Sequence, residues 1–253
     1  MKPFRPCIVI PVYNHAEAVS ILVSAMRAQN ATIRIILVND GSDNRCTKVM
    51  QKLQHDDAQM DLVEISKNRG KGGAVKSGLA RAEATGFSHA IQLDADGQHD
   101  IRDIPKFLAL AKQYPEFIIA GTPEYDESIP AHRYYARYLT HIWIWVNTLS
   151  FQIKDSMCGF RVYPVRETNR IISGCSIGDR MDFDPELLVR WSWENHGIAH
   201  IPTRVNYPTD GISHFRILED NMLISKMHTK LLILMLLKLP KILWRRYRMV
   251  HSH

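Results

Sequence analysis

His89-Ala90-Ile91-Gln92-Leu93-Asp94-Ala95-Asp96-Gly97-Gln98-His99 decides the reading of this chain. An apolar run of strand length, residues 89–93, stops at a polar turn that carries two carboxylates one residue apart. At a strand terminus, Asp94 and Asp96 can aim oxygens at one hard cation such as Mg²⁺ or Mn²⁺, and Gln98 can add an amide oxygen. An Asp-Ala-Asp-Gly sequence is also an ordinary acidic surface turn. What separates the two readings is company: a second strand-like run, residues 33–39, ends in Asn39-Asp40-Gly41-Ser42.

Working outward, short Val-, Ile- and Leu-rich runs recur at residues 7–12, 33–39, 61–65, 89–93 and 117–121, as buried parallel strands require. Between them, Val19/Leu22/Val23/Met26, Val75/Gly78/Leu79/Ala82 and Ile104/Phe107/Leu108/Ala111 repeat at helical spacing. Alternating strands and helices predict an open, mostly parallel sheet, with ligand groups at the carboxyl ends of its strands. Four of those ends carry polar turns: Pro11-Val12-Tyr13-Asn14, Asn39-Asp40-Gly41-Ser42, Asn68-Arg69-Gly70-Lys71-Gly72-Gly73 and Asp94-Ala95-Asp96-Gly97-Gln98-His99. All would meet along one edge.

The second half is less regular. It predicts a long helix over residues 131–151, a loop over 155–163, a helix from Pro185 and a strand over 201–207. The long helix is apolar almost all round between Ile142 and Val146, which predicts burial. Arg133 and Arg137, one turn apart, could clamp a phosphate. Asp184 before Pro185 reads as a helix N-cap, leaving Asp182 or Glu186 as carboxylates for a site.

The 253 residues allow one large domain, and 45% hydrophobic with 23% charged residues is an ordinary folded composition. Four scattered cysteines suggest neither a zinc site nor a disulfide framework, so a reducing cytoplasm is expected. The start of the chain runs straight into the first strand, from which export is not expected. A net charge of +6 suits anionic partners without choosing among them. Residues 225–248 join the apolar run 231–237 to Lys226, Lys230, Lys238, Lys241, Arg245, Arg246 and Arg248. That run falls short of the roughly 20 residues of a spanning helix, so an in-plane amphipathic helix is expected. The chain accordingly divides into an α/β domain, residues 1–224, and a basic tail, residues 225–253.

The stretches Ile10-Pro11-Val12-Tyr13-Asn14, Val38-Asn39-Asp40-Gly41-Ser42, Asn68-Arg69-Gly70-Lys71-Gly72-Gly73-Ala74, Asp94-Ala95-Asp96-Gly97-Gln98-His99 and Asp155-Ser156-Met157-Cys158-Gly159-Phe160-Arg161 occur in that order. In this the sequence resembles the family 2 glycosyltransferases, with their Rossmann-like GT-A fold, and among them the dolichyl-phosphate and polyprenyl-phosphate sugar synthases. The resemblance implies that Pro11, Tyr13 and Asn14 lie near the nucleotide, that Asp40 bonds the base and that Lys71 lies near base or ribose. It places Asp94, Asp96 and Gln98 on the metal, Asp155 near the sugar and Arg161 at phosphate or in a structural ion pair. His214 and Arg216 could return to the diphosphate.

The expected activity is inverting transfer of a hexose from a UDP- or GDP-sugar to a lipid or lipid-phosphate acceptor. The expected place is the inner face of the cytoplasmic membrane, with the membrane surface as partner, no nucleic acid, and a homodimer left open. Where the relatives carry Arg after a Gly-Ser or Gly-Thr pair, Gly121-Thr122 leads here to Pro123, a departure that bears on a lipid-phosphate acceptor. Two other classes are weighed: a non-catalytic binding module of the same fold and a sugar-nucleotide nucleotidyltransferase. The second would need a Gly-rich, Arg-Lys-bearing loop after the first strand, where Pro11-Val12-Tyr13-Asn14-His15 stands instead.

Overall fold

The computed structural model describes residues 3–124, 131–205 and 217–251, with the side chains of 131–139, 217, 246 and 248–251 outside the description. Seven strands form one sheet: β1 (Pro6–Val12), β2 (Arg34–Asp40), β3 (Met60–Ile65), β4 (His89–Gln92), β5 (Ile118–Glu124), β6 (Arg161–Pro164) and β7 (Ile198–Arg204). Their order is β3-β2-β1-β4-β6-β5-β7. Every neighbouring pair is parallel except those made by β6, which runs antiparallel to both β4 and β5. The predicted alternation and mostly parallel sheet are thus present.

The helices are α1 (Ala16–Gln29), α2 (Asn44–Asp56), α3 (Lys71–Ala84), α4 (Ile104–Gln113), α5 (Ala131–Thr148), α6 (Val165–Ser173), α7 (Phe183–Trp193) and α8 (Ile217–His251). The periodic residues of α1, Val19, Leu22, Val23 and Met26, are all buried, as are Val75, Gly78, Leu79 and Ala82 of α3. Apolar clusters cover both faces of the sheet, one under α3, α5, α6, α7 and α8, the other under α1, α2 and α4. Burial on both faces is why the central strands read as continuous apolar runs rather than alternating ones.

Three expectations need correction. Residues 161–164 form β6 rather than loop, and β6 lies between β4 and β5 in the sheet. In the described part of α5, residues 140–148, one side is buried: Ile144, Asn147 and Thr148 are inaccessible, whereas Ile142, Trp143 and Val146 are about two-fifths exposed. Asp184 is no N-cap: α7 begins at Phe183 with Asp182 in the cap position, and Asp184 turns inward.

α8 is one continuous 35-residue helix with Pro240 inside it. Its inner face, Ile224, Met227, Leu231, Met235 and Ile242, is part of the core. Arg180–Asp220 (3.0 Å), Lys230–Glu186 (2.7 Å) and Arg245–Glu194 (2.7 Å) pin it along α7. Among the described residues no helix is long and apolar enough to cross a membrane.

Candidate functional site

The carboxyl ends of β1 and β2 are tied by Asn14, which adopts a left-handed φ of 56°. Its amide donates to Ser42 Oγ (3.1 Å), and the Asp43 amide donates to Asn14 Oδ1 (2.8 Å). Pro11 and Tyr13 lie half-buried beside this clasp. Asp40, 2% exposed, accepts from the amides of Arg69 and Gly70 (both 2.8 Å) and from Asn68 Nδ2 (3.0 Å). Burial pushes its carboxyl up, against the pull of those two amides. Asp40 therefore shapes the turn that opens α3, and a base bound there would share the carboxylate with that turn. Gly41, at φ +68°, permits the approach: a Cβ would stand 2.5 Å from the Asn68 nitrogen.

Lys71, the first residue of α3, reaches across to β4. Its ammonium donates to Asp94 Oδ2 (2.9 Å), stands 2.8 Å from Oδ1 and lies 3.2 Å from Asp184 Oδ2. His99 Nε2 is 3.5 Å from Asp94 Oδ2. Burial would raise the Asp94 carboxyl, but the Lys71 ammonium and His99 outweigh it and hold the acid well below the usual range. Asp96 goes the other way, raised first by burial and then by the charge of Asp94. Its Oδ1 accepts the Gln98 amide (3.1 Å), folding the turn back over Gly97, which takes a φ of +70°.

The loop before β6 closes the other side. Asp155, 2% exposed, accepts the amides of Met157 (2.9 Å) and Cys158 (2.7 Å), and His141 Nε2 of α5 lies 3.4 Å from its second oxygen. The loop then passes so close to the carboxylates that a Cβ on Gly159 would sit 2.4 Å from Asp94 Oδ2 and 2.6 Å from Lys71 Nζ. Arg161 is fully buried, bonded to the Asp184 carbonyl (3.0 Å), its carboxylate (3.2 Å) and the Ser156 carbonyl (2.7 Å). Of the two roles open to Arg161, this geometry is the structural ion pair.

Asp182, 8% exposed, accepts the Arg180 amide (3.1 Å) and packs on Gly178. Glu186 is enclosed by Arg190 (2.6 Å) and Lys230 (2.7 Å), an anchor for α8. Asp184, His99 and Gly159 join the cluster without having been singled out as site residues. Arg133 and Arg137 lie on α5 with side chains outside the description, and His214 and Arg216 lie outside the described residues. A groove of 1290 Å³ along α3 and α6 shares no residue with this cluster; among its lining, Arg170 pairs with Glu167, and Arg69 and Lys76 with Asp179.

Among the described residues no three His, Cys, Asp or Glu side chains form a ready metal cage. The expected set is different, two carboxylates and an amide oxygen, and it fits a hard cation on two counts. Asp94 Oδ1 is buried and faces only the Lys71 ammonium, without a well-directed hydrogen bond, and Asp96 is held in the field of Asp94, a repulsion that a divalent charge relieves.

Residues 7–171, which hold all of these β-strand ends and the loop through Gly159, match the family model of Glycosyl transferase family 2. The chain belongs to that family. This family 2 glycosyltransferase is 28% identical over 202 residues to the dolichyl-phosphate beta-glucosyltransferase of Homo sapiens, covering 72% of this chain and 61% of that protein. It is 24% identical over 216 residues to the UDP-N-acetylglucosamine–dolichyl-phosphate N-acetylglucosaminyltransferase of Methanococcus voltae, covering 79% and 85%. The chain thus spans about three-fifths of the length of the human relative. Glucosyl-3-phosphoglycerate synthase from Mycobacterium tuberculosis, solved with UDP, shares the GT-A fold at a TM-score of 0.63, with 14% identity over 90% of this chain and 79% of that one. The same synthase has been solved with Mn²⁺ and UDP-glucose (TM-score 0.61, 13% identity, 88% and 75% covered).

Proposed function

We propose that this glycosyltransferase is metal-dependent and inverting, and that it moves a hexose from a UDP- or GDP-sugar to a lipid-linked acceptor. The observation that carries the reading is the cluster at the end of β4. Asp94 sits against Lys71 at the start of α3 and under the Gly159 loop, with Asp96 and Gln98 in the same turn. Asp94, Asp96 and Gln98 would hold Mg²⁺ or Mn²⁺, which when bound neutralises charge on the departing nucleoside diphosphate. Lys71, kept protonated against burial by Asp184 and Asp94, adds a fixed positive charge at the same place. The turns ordered by Asn14 and Asp40 face the same edge and supply the walls for the nucleotide.

Two carboxylates in one site would also suit a double displacement. Here Asp94 is paired with Lys71 and Asp96 is turned to the Gln98 amide, an arrangement for holding a cation rather than attacking an anomeric carbon. The lipid acceptor rests on the relatives, whose names carry dolichyl phosphate. A phosphate acceptor is largely ionised near neutral pH and needs cations more than a base.

The test is calorimetric titration of UDP and GDP, with and without Mn²⁺, on the wild type and Asp96→Asn. Metal-enhanced binding of one nucleotide, lost in the variant with the fold intact, is the expected result. Binding that ignores both metal and substitution overturns the metal role, and no binding of either nucleotide favours the non-catalytic module.

A further inference from the structure

α8 has two apolar faces, and only one of them is inside the protein. The inner face enters the core through Ile224, Met227, Leu231, Met235 and Ile242. The opposite face presents Leu218 (83% exposed), Met222 (56%), Ile233 (55%), Leu236 (57%), Leu237 (75%), Leu243 (51%), Trp244 (60%) and Tyr247 (57%). All eight fall on one side of the helix in two groups, Leu218 with Met222 and then Ile233 to Tyr247, with exposed Ser225, Lys226 and Thr229 in the stretch between; the second group is a stripe of about 21 Å at roughly 1.5 Å per residue.

An apolar surface of that length, exposed to water, marks an interaction site. The charges decide which kind. Lys230 and Arg245, part of the basic count of the tail, are held inward by Glu186 and Glu194, and Lys238 lies 5.5 Å over the Trp193 ring. On the outer side Lys226 and Lys241 stay exposed beside these groups, and Asp220 of the first turn is buried against Arg180. Outward, then, the helix is apolar and aromatic with a lysine border, the composition of a helix lying in a phospholipid interface. An acidic border, which a basic protein partner would need, is not what the described stretch 218–247 shows: its one acidic side chain on the outside is Glu219.

The position of the helix adds direction. Glu186 to Lys230 and Glu194 to Arg245 make α8 run alongside α7 in the same sense, and α7 begins at the site with Asp184. Arg180, bonded to Asp220, belongs to the turn that packs on Gly70 at the start of α3. The Leu218 and Met222 end of this face is therefore its site-proximal end.

We infer that the outer face of α8 is a docking platform that seats the protein in plane on a phospholipid surface by apolar insertion, with its Leu218–Met222 end beside the catalytic cluster, where an acceptor held in the same leaflet arrives. The inference builds on the lipid-linked acceptor proposed above. Charge is the secondary contribution, because the inward-facing cations are already paired.

The test is flotation of the intact protein with vesicles of phosphatidylcholine, and with vesicles that also carry phosphatidylglycerol, at low and high salt. Wild type is expected to float with both, and salt is expected to remove only the gain from phosphatidylglycerol. Leu237→Glu with Trp244→Glu, both mostly exposed, is expected to lower partitioning by roughly tenfold or more on both vesicles. Lys226→Glu with Lys241→Glu is expected to remove only the anionic gain. Wild type that floats only with anionic vesicles and is released by salt overturns apolar insertion. So does a doubly substituted variant that floats normally, or a wild type that does not float and sediments as a dimer through this face. UDP and GDP titration of the same variants separates the two proposals: intact nucleotide binding without flotation refutes the platform alone, and flotation without nucleotide binding refutes the enzymatic reading alone.

Discussion

Replacing Gly159 by Ala tests the site with one methyl group. A Cβ there would stand 2.4 Å from Asp94 Oδ2 and 2.6 Å from Lys71 Nζ, where ordinary contact begins at 3.4 Å. Lys71 ends in a flexible chain and can withdraw, but Asp94 is short and held by Lys71 and His99. Either the carboxylate or the loop must move by about 1 Å, and a displacement of about that size can cost on the order of a hundredfold in rate. On the proposed function, the expected outcome is sugar transfer reduced by about two orders of magnitude, with weakened Mn²⁺-dependent nucleotide binding and a melting temperature close to wild type. The assay is release of UDP or GDP from the donor sugar, run beside calorimetry and thermal melting. A Gly159→Ala protein that binds nucleotide and metal as wild type does, and turns over as fast, refutes the reasoning that this loop presses on the carboxylate proposed to bind metal.

Removing the Arg161 guanidinium as Arg161→Met leaves Asp184 with half its buried counter-charge and should lower stability by about 3 kcal/mol, read by urea unfolding. Asp40→Ala strips the acceptor from two amides and the Asn68 side chain; a cost of about 1–3 kcal/mol and weaker nucleotide affinity are expected, measured by unfolding and calorimetry. His228 is pushed down from 6.5 to about 4 by burial between α5 and α8. Its folded form stays neutral while the unfolded chain takes up a proton, so stability is full above about pH 6.5 and declines as pH falls toward about 4, by at most about 3 kcal/mol. His228→Leu should flatten that decline in denaturant titrations across the window, leaving the smaller slopes of His89 and His200, which burial also lowers.

The first half of the sheet was legible because its signals are redundant. Strands buried on both faces give unbroken apolar runs, and the turns at their ends announce themselves with Asn, Asp and Gly. What escaped had weak local signal. α2 buries only Cys46 and Met50, and β6 is four residues long at the end of a loop. Asp184 before Pro185 carries the local signature of an N-cap, but Lys71 and Arg161, distant in sequence, draw its carboxylate inward. Arg161 shows the same limit: a chain of residues cannot say whether an arginine faces a ligand or the protein's own carboxylate. Gly159 was visible within its motif, yet the reason for it, the approach to Asp94, belongs to three dimensions.

The antiparallel strand between β4 and β5 also bears on how the chain can assemble as it leaves the ribosome. β3, β2, β1 and β4 come from one contiguous stretch, residues 6–92, and can pair as soon as that stretch emerges. β5 follows directly but has no neighbour waiting: β6 and β7, its two partners, are made only at residues 161–164 and 198–204. Throughout that interval of synthesis its amides and carbonyls must stay hydrated or be shielded. The nascent protein thus holds a finished four-stranded half and an unpaired strand at the same time, and the exit of residue 164 is the earliest moment at which the two can become one sheet.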